Sequence, residues 1–133
     1  MTVHIDWHDA NHSILLMQFE KDWTLEDLRY ASEQGWSMMA TVDHKVYTIM
    51  DVTQGNKLPS GFLPYARRLV SHRPANAGLM AIAGGTPLMR AVYSTLLQIY
   101  GAINPTFKVR FVNTVADACE AISVTAIQSD GSG

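Results

Sequence analysis

Polar residues and glycines stand directly after three apolar runs that are typical of buried strands. The first run, VYTIM, is followed by Asp51, Thr53 and Ser60, the second by Gly84, Gly85 and Thr86, and the third by Asn113 and Thr114. In an open α/β sheet, ligands and partners meet the loops at the carboxyl ends of the parallel strands. These loops are therefore where the sequence places its candidate site.

Each of these residues also has an ordinary structural role, which the sequence favours. An acid such as Asp51 in a turn accepts hydrogen bonds from backbone N–H groups, and Thr86 and Thr114 are well placed as helix N-caps. Gly84, Gly85 and Thr86, in the segment AGGTPLMR, could cradle an anion at a helix start. The segment matches neither G-x-G-x-x-G nor G-x-x-x-x-G-K-S/T, so a tight turn is favoured over an anion or ligand loop.

The sequence offers no convincing catalytic or metal centre. His4 and His8 would lie roughly 13 Å apart on an extended chain, so together with His12 they are interpreted as surface histidines and not as metal ligands. Ser60 lacks the G-x-S-x-G setting of a nucleophilic serine. Cys119 falls on the apolar face of a predicted helix, where a thiol is inert. We therefore expect no enzyme, no metal and no cofactor.

Composition argues against several classes of partner. Of 133 residues, 47% are hydrophobic and 17% are charged, and the net charge of −2 gives no reason to expect nucleic acid or an anionic membrane. Cys119 is the only cysteine, so no intrachain disulfide forms and a reducing compartment is expected. The stretch MTVHIDWHD lacks the basic start of a secretory signal, and no apolar run has the length of a membrane span. The sequence predicts a soluble, cytoplasmic single domain.

Hydrophobic periodicity predicts the element order β-β-α-β-α-β-α-β-α. Two apolar runs joined by a short turn indicate an antiparallel hairpin. The later strands alternate with helices, which requires a mostly parallel sheet with helices on its faces. The predicted strands are 2–7, 13–19, 44–52, 78–85 and 107–113. A single α/β domain is expected over residues 1–122, followed by a disordered tail over 123–133.

The predicted helix after the third strand has an apolar stripe and a polar side. The stripe consists of Phe62, Leu63, Ala66, Leu69 and Val70. Tyr65, Arg68 and His72 are spaced by three and four residues, so they are expected to be neighbours on an outward side. Because Tyr and Arg are enriched at interface hot spots, this side, with Gly61 at the helix start, is a candidate partner surface.

The strand VYTIMDV, the polar turn, PSG and the helix FLPYARRLV resemble the centre of a STAS domain. That family comprises the anti-sigma-factor antagonists and the C-terminal domains of sulfate transporters, and its pattern is a strand ending in Asp, a short turn and Asp-Ser-Ser-Gly opening a helix. Asp51 matches the strand-end acid, and Ser60 and Gly61 match the last Ser-Gly. Leu58 and Pro59 replace the preceding Asp and Ser, and the spacing is one residue short. The element order resembles the family over about residues 2–122.

The resemblance implies a bacterial, non-catalytic regulatory domain that binds a protein partner, either a kinase or another regulator. Ser60 is expected to cap the helix and, with Asp51 nearby, to be the phosphorylation switch, since a helix N-terminus favours an added phosphate. A homodimer is compatible with this interpretation.

Two other interpretations stay open. STAS-like folds also hold nucleotides, lipids or other apolar ligands, and several large side chains are available to line a pocket. These are Trp36, Met38, Met39, Tyr93 and Tyr100. The third interpretation is an enzyme built on Asp51 and the 84–86 turn.

Overall fold

The computed structural model describes residues 3–101, 104 and 107–132, with side chains through residue 127. The strands are β1 Val3–Trp7, β2 Ile14–Phe19, β3 Val46–Asp51, β4 Ala77–Ala83 and β5 Val109–Val112. The helices are α1 Leu25–Met39, α2 Phe62–Ser71, α3 Pro87–Tyr100 and α4 Val115–Ser132. This order is the predicted β-β-α-β-α-β-α-β-α arrangement, which is thereby confirmed.

The five strands form one mixed sheet in the order β1-β2-β3-β4-β5. β1 pairs antiparallel with β2, so the predicted hairpin forms and places β1 at an edge. The pairs β2–β3, β3–β4 and β4–β5 are all parallel. The mostly parallel α/β sheet expected from the sequence is therefore present.

Three helices share one face of the sheet, because every crossover steps to the next strand in the same direction. Right-handed crossovers that advance one way deliver their helices to a single face. The main apolar core lies there and combines strand residues with residues of α1, α2 and α3. Its largest contributors include Phe19, Met50, Ile82, Leu28, Phe62, Val70, Met89 and Tyr93.

The opposite face is covered by α4, which follows the last strand. Ala118 and Ile122 of α4 pack against Tyr47, Ile49 and Ala81 of the central strands. Side chains alternate across a strand, so β3 sends neighbouring residues to opposite faces, and both faces of the strand are buried. This explains why the run from Val46 to Met50 is continuously apolar apart from one threonine.

The helices α1, α3 and α4 each begin after a threonine cap, as the sequence predicts for Thr86 and Thr114. Thr24 Oγ1 accepts from the N–H of Asp27, whose side chain accepts in return from the Thr24 N–H, so α1 opens with a capping box. Thr86 accepts from the N–H of Met89, and Pro87 holds the first position of α3. Thr114 accepts from the N–H of Asp117 at the start of α4.

The C-terminal helix is longer than the sequence predicts. α4 continues past Ile122 to Ser132, through a segment for which the sequence predicts disorder. Ala126 lies one turn after Ile122 and packs against the same apolar cluster as Ala118. The structure thus has helix through Ser132 where the sequence predicts a disordered tail over 123–133, and the last residue lies outside the described part of the chain.

Within the described ranges, no helix combines the length and the apolar character that crossing a membrane requires.

Candidate functional site

Asp51 stands at the carboxyl end of β3 and accepts hydrogen bonds from the turn that follows it. Its Oδ1 accepts hydrogen bonds from the Thr53 N–H at 3.0 Å and from the Thr53 hydroxyl at 2.7 Å. The predicted local role of this acid is confirmed: it closes the turn that follows the strand. The turn is also bonded to the segment that precedes α1, because the Trp23 indole donates to the Gly55 carbonyl.

The Gly84, Gly85 and Thr86 loop is a tight turn, as the sequence favours. Gly84 has a φ of 84°, and a Cβ there would lie 2.9 Å from the Thr53 Cα, so the loops after β3 and β4 are in direct contact. The Gly84 N–H donates to the Val112 carbonyl at 3.0 Å. This N–H therefore has a partner in the fold, and the Thr86 hydroxyl oxygen accepts from the Met89 N–H as the cap of α3.

Ser60 does not cap α2, which corrects the sequence-based expectation. The N-cap is Gly61, at a φ of 80°, and no side chain caps this helix start. The Phe62 N–H donates instead to the Pro59 carbonyl at 3.3 Å. The turn therefore includes Gly61, and the helix begins at Phe62. Ser60 is exposed, and its hydroxyl makes no hydrogen bond with any described residue.

One residue of the apolar stripe predicted for α2 is exposed. Leu63, which the sequence places in the buried stripe, is 57% exposed, whereas Phe62, Ala66 and Val70 are buried. Leu88, the second residue of α3, is 67% exposed. Both leucines begin helices that follow parallel strands, so they stand at the same edge of the sheet as Ser60.

Tyr65 of α2 and His72 at its C-cap lie beside α1, so the outward side predicted for the three residues is wrong for Tyr65. The His72 ring stacks on Trp36 with centroids 6.1 Å apart, and Tyr65 is half-buried against the main core. Burial, and then the carboxylate of Glu33 on α1, raise the pKa of Tyr65. Arg68 and His72 are exposed, so the candidate partner surface includes them, with Tyr65 at its margin.

The histidines of the hairpin are separate from one another. His4 pairs with Glu20 at 3.1 Å, and the His12 ring stacks on Trp7. His8 Nε2 lies 3.3 Å from the Cys119 Sγ. No group of three or more potential metal ligands occurs among the described residues.

Cys119 does not have the environment of an activated nucleophile. Burial raises the pKa of its thiol, so the neutral form is favoured at neutral pH. The thiol contacts His8 and packs with the cluster under α4. This agrees with the interpretation of Cys119 as a packing residue.

A cavity of about 70 Å³ lies between the sheet and α1, α2 and α3. We call it the inner cavity. Of the five side chains that the sequence offers for a pocket, Trp36, Met39 and Tyr93 line it, and the other two do not. Its lining also contains Arg73, Ser32 and Thr48.

Sequence reasoning missed these three polar residues. Arg73 lies in the loop after α2, Ser32 lies at a helical position one turn after Leu28, and Thr48 interrupts an apolar strand. The signal in the sequence is a polar residue at a position that hydrophobic periodicity predicts to be buried. Ser32 follows Leu28 by one helical turn, and Thr48 stands inside VYTIM.

No family model, no curated protein and no solved structure matches this chain. The resemblance to STAS domains therefore stays a prediction.

Proposed function

We propose that this chain is a non-catalytic regulatory domain that binds a protein partner at the edge where the parallel strands end, in the manner of the STAS domains it resembles. The observation that carries the proposal is the exposure of Leu63 and Leu88, which begin neighbouring helices at that edge beside Ser60. Each leucine exposes more than half of its surface, and helices α2 and α3 pack against each other. Apolar side chains exposed beside polar groups are typical of a docking surface.

The same edge supplies a plausible switch at Ser60. The hydroxyl is exposed and makes no hydrogen bond within the described structure, so a kinase meets no competing contact. The first turn of α2 contains no acid, and its N-cap has no side-chain acceptor. A phosphate added at Ser60 would bring negative charge to the positive end of the α2 dipole, where it is stabilising.

The chemistry around the turn supports a binding role over catalysis. Asp51 accepts two hydrogen bonds from Thr53, and the Gly84 N–H donates to the Val112 carbonyl. A catalytic interpretation needs a nucleophile or acid with a base to serve it, and the contact between the Thr53 hydroxyl and Asp51 closes a turn of the backbone. The resemblance to STAS domains supports a bacterial cytoplasmic setting, with a kinase or regulator as partner.

The switch is tested by phosphate mapping. The protein is incubated with ATP and kinases encoded by neighbouring genes, of which a histidine-kinase-like ATPase fits best, and modified residues are located by mass spectrometry. We expect phosphate on Ser60 and none in a Ser60→Ala variant. Ser94, exposed on α3, provides a matched control through Ser94→Ala, which should keep the modification. Phosphate elsewhere, or none with any of these kinases, removes the switch from the proposal.

The docking surface is tested separately with the same partner. Leu63→Asn and Leu88→Asn should each weaken binding about tenfold or more, which corresponds to about 1.4 kcal/mol. Ile99→Asn is the matched control, because Ile99 is similarly exposed but lies at the other end of α3. Binding is measured by calorimetry. Equal affinities for all three variants would mean that the partner does not dock at this edge.

A further inference from the structure

β1 is an edge strand, and the described part of the chain places no strand beyond it. The sheet order is β1-β2-β3-β4-β5, so β1 pairs only with β2. An open groove of about 590 Å³ runs along β1 and is lined by every residue of Val3–Trp7. The groove also reaches Leu16, on the α4 face of the sheet, and Tyr30 of α1 on the opposite face. It therefore follows the open edge, where unpaired backbone groups are available to another strand.

The hydrogen-bond pattern of the hairpin shows which backbone groups lie on this edge. The His8 N–H donates to the Ile14 carbonyl at 2.8 Å. In an antiparallel pair, residues that bond to the neighbouring strand alternate with residues that do not. Because His8 bonds towards β2, the N–H and C=O groups of Val3, Ile5 and Trp7 point away from β2 and into the groove.

A side chain caps one end of the open edge. The Trp7 N–H donates to Asp6 Oδ1 at 2.8 Å, so a carboxylate takes the place that a neighbouring strand would fill. Charged side chains of this kind limit uncontrolled pairing at edge strands. His4, on the same face of β1 as Asp6, pairs instead with Glu20 at 3.1 Å. Among the described residues no side chain caps the Ile5 N–H, so the centre of the edge is open to a strand.

The sequence of β1 is complementary to itself. It reads Val-His-Ile-Asp-Trp, so a basic and an acidic residue flank Ile5 symmetrically. Two copies can lie antiparallel with their Ile5 residues opposite, and each His4 then faces Asp6 of the other copy. Cross-strand pairs of opposite charge are stabilising, whereas like charges directly opposite are destabilising. Sliding one copy by two residues places His4 opposite His4 or Asp6 opposite Asp6, so charge favours a single register.

The same register also satisfies the backbone. Since the Ile5 groups point outward, the two Ile5 residues can exchange both of their N–H···O=C bonds. At each end, the Val3 N–H meets the Trp7 carbonyl of the other copy. When Asp6 turns to His4 of the other copy, it releases the Trp7 N–H, which then donates to the Val3 carbonyl across the junction.

We propose that β1 binds β1 of a second copy of this chain in this register, which joins the two sheets into one continuous sheet. The pair has a twofold axis at Ile5, so the same surface serves both copies. Tyr30, which is 39% exposed beside the groove, extends the contact from α1. One short edge is a small interface, and we therefore expect a reversible dimer. The interface is separate from the proposed partner surface, because Leu63 and Leu88 stand at the starts of α2 and α3.

Sedimentation equilibrium of two charge variants tests the proposal. The wild type should show a reversible equilibrium between monomer and dimer. His4→Glu gives each β1 two acids and Asp6→Lys gives it two basic residues, so each variant alone should dimerise about tenfold more weakly or worse. An equimolar mixture of the two should dimerise again, because the introduced glutamate faces the introduced lysine and the remaining Asp6 faces the remaining His4. Only this register predicts that rescue.

Arg110→Glu is the matched control, because Arg110 is exposed on β5, the other edge strand of the sheet. It should dimerise as the wild type does, and circular dichroism checks that all variants are folded. A wild type that is monomeric at every concentration, or a dimer that persists in both single variants, would overturn the proposal. Folded variants that fail to associate in the mixture would do the same.

Amide hydrogen exchange of the wild type covers the case in which a variant fails to fold. The Ile5 N–H should exchange more slowly as the protein concentration rises, because it acquires its hydrogen bond only in the dimer. The His4 and Asp6 amides bond to β2 in both states and are the internal controls. The amides of β5 should not respond to concentration. Protection that appears on β5, or none at Ile5, would show that β1 is not the interface.

Discussion

Gly61 sets the start of α2. Its φ of 80° is in the left-handed region, which glycine enters without steric penalty, and the Phe62 N–H reaches back to Pro59 across this turn. Ser60 therefore stands one position too early to cap the helix. This frees the serine hydroxyl, which is the property that the proposed switch requires.

We expect Gly61→Ala to destabilise the protein by about 1–2 kcal/mol, because an alanine must adopt the left-handed conformation at that position. The added Cβ would also lie 3.3 Å from the Leu25 Cδ2. Chemical denaturation of both proteins measures the difference. Ser60→Ala is the control and should change the free energy of unfolding by less than about 0.5 kcal/mol. An unchanged stability in Gly61→Ala would mean that the turn adopts another conformation.

The sequence did not predict this arrangement at the level of single residues. A serine before a glycine and an apolar run favours a cap at the serine, whereas the actual cap lies one residue later. Periodicity places Leu63 in the apolar stripe, but the buried face is narrower and contains Phe62, Ala66 and Val70. Periodicity identifies a helix more reliably than its first residue, because the cap depends on a backbone conformation that the sequence only suggests.

Among the elements, the β1–β2 hairpin depends on one carboxylate in its turn. Asp9 accepts from the N–H groups of Ser13 and Ile14 at 2.9 and 3.0 Å, and its other oxygen accepts from the Ser13 hydroxyl. Partial burial alone would raise the pKa of Asp9, but these hydrogen bonds outweigh it and lower the pKa below its usual value. The ionised form is therefore the one that stabilises the folded hairpin.

This predicts a pH-dependent effect for Asp9→Ala. A lowered folded-state pKa gives a contribution that is present above the unfolded value of about 4 and is lost as the pH falls through the folded value. We expect the substitution to cost about 1–2 kcal/mol near neutral pH and distinctly less near pH ~3. Urea unfolding of both proteins at each pH measures this cost.

Asp43→Ala serves as the control for the hairpin, because Asp43 is a loop acid that is exposed. It should have little effect at either pH. A cost for Asp9→Ala that stays constant across this range would show that the ionised carboxylate is not what holds the turn.

The exposed side of α2 contributes to the proposed function at its Arg68 position. The Arg68 side chain is exposed. Only the backbone carbonyl of this residue contacts the His72 ring, at 2.9 Å. Arg68→Glu should therefore weaken partner binding by more than ~1 kcal/mol while leaving stability within about half of that. Binding and melting curves for both proteins provide the measurement. Unchanged affinity would restrict the docking surface to the helix starts.

At the scale of the whole molecule, the fold was predictable from the sequence and the inner cavity was not. Alternating strand and helix patterns with short connections leave few arrangements other than a mostly parallel sheet with a hairpin edge. The inner cavity depends on how three helices meet over one face. Arg73 reaches its wall from a loop, and no periodic pattern predicts that placement. Trp36, Met39 and Tyr93 lie within helices, so hydrophobic periodicity could identify them as candidates for a pocket lining.

The two faces of the sheet are covered unequally, and this gives the last prediction. Three helices cover one face. Among the described residues, α4 covers the other face and packs there through a small cluster that contains Ile122. Ile122 is 2% exposed and Ile127, on the same helix, is 70% exposed. Ile122→Ala should cost about 2–5 kcal/mol because it leaves a cavity under α4, and Ile127→Ala should change stability by less than about 0.5 kcal/mol. Urea denaturation of the two variants compares them directly. Similar small effects would mean that α4 is loosely attached and that this face of the sheet is accessible in solution.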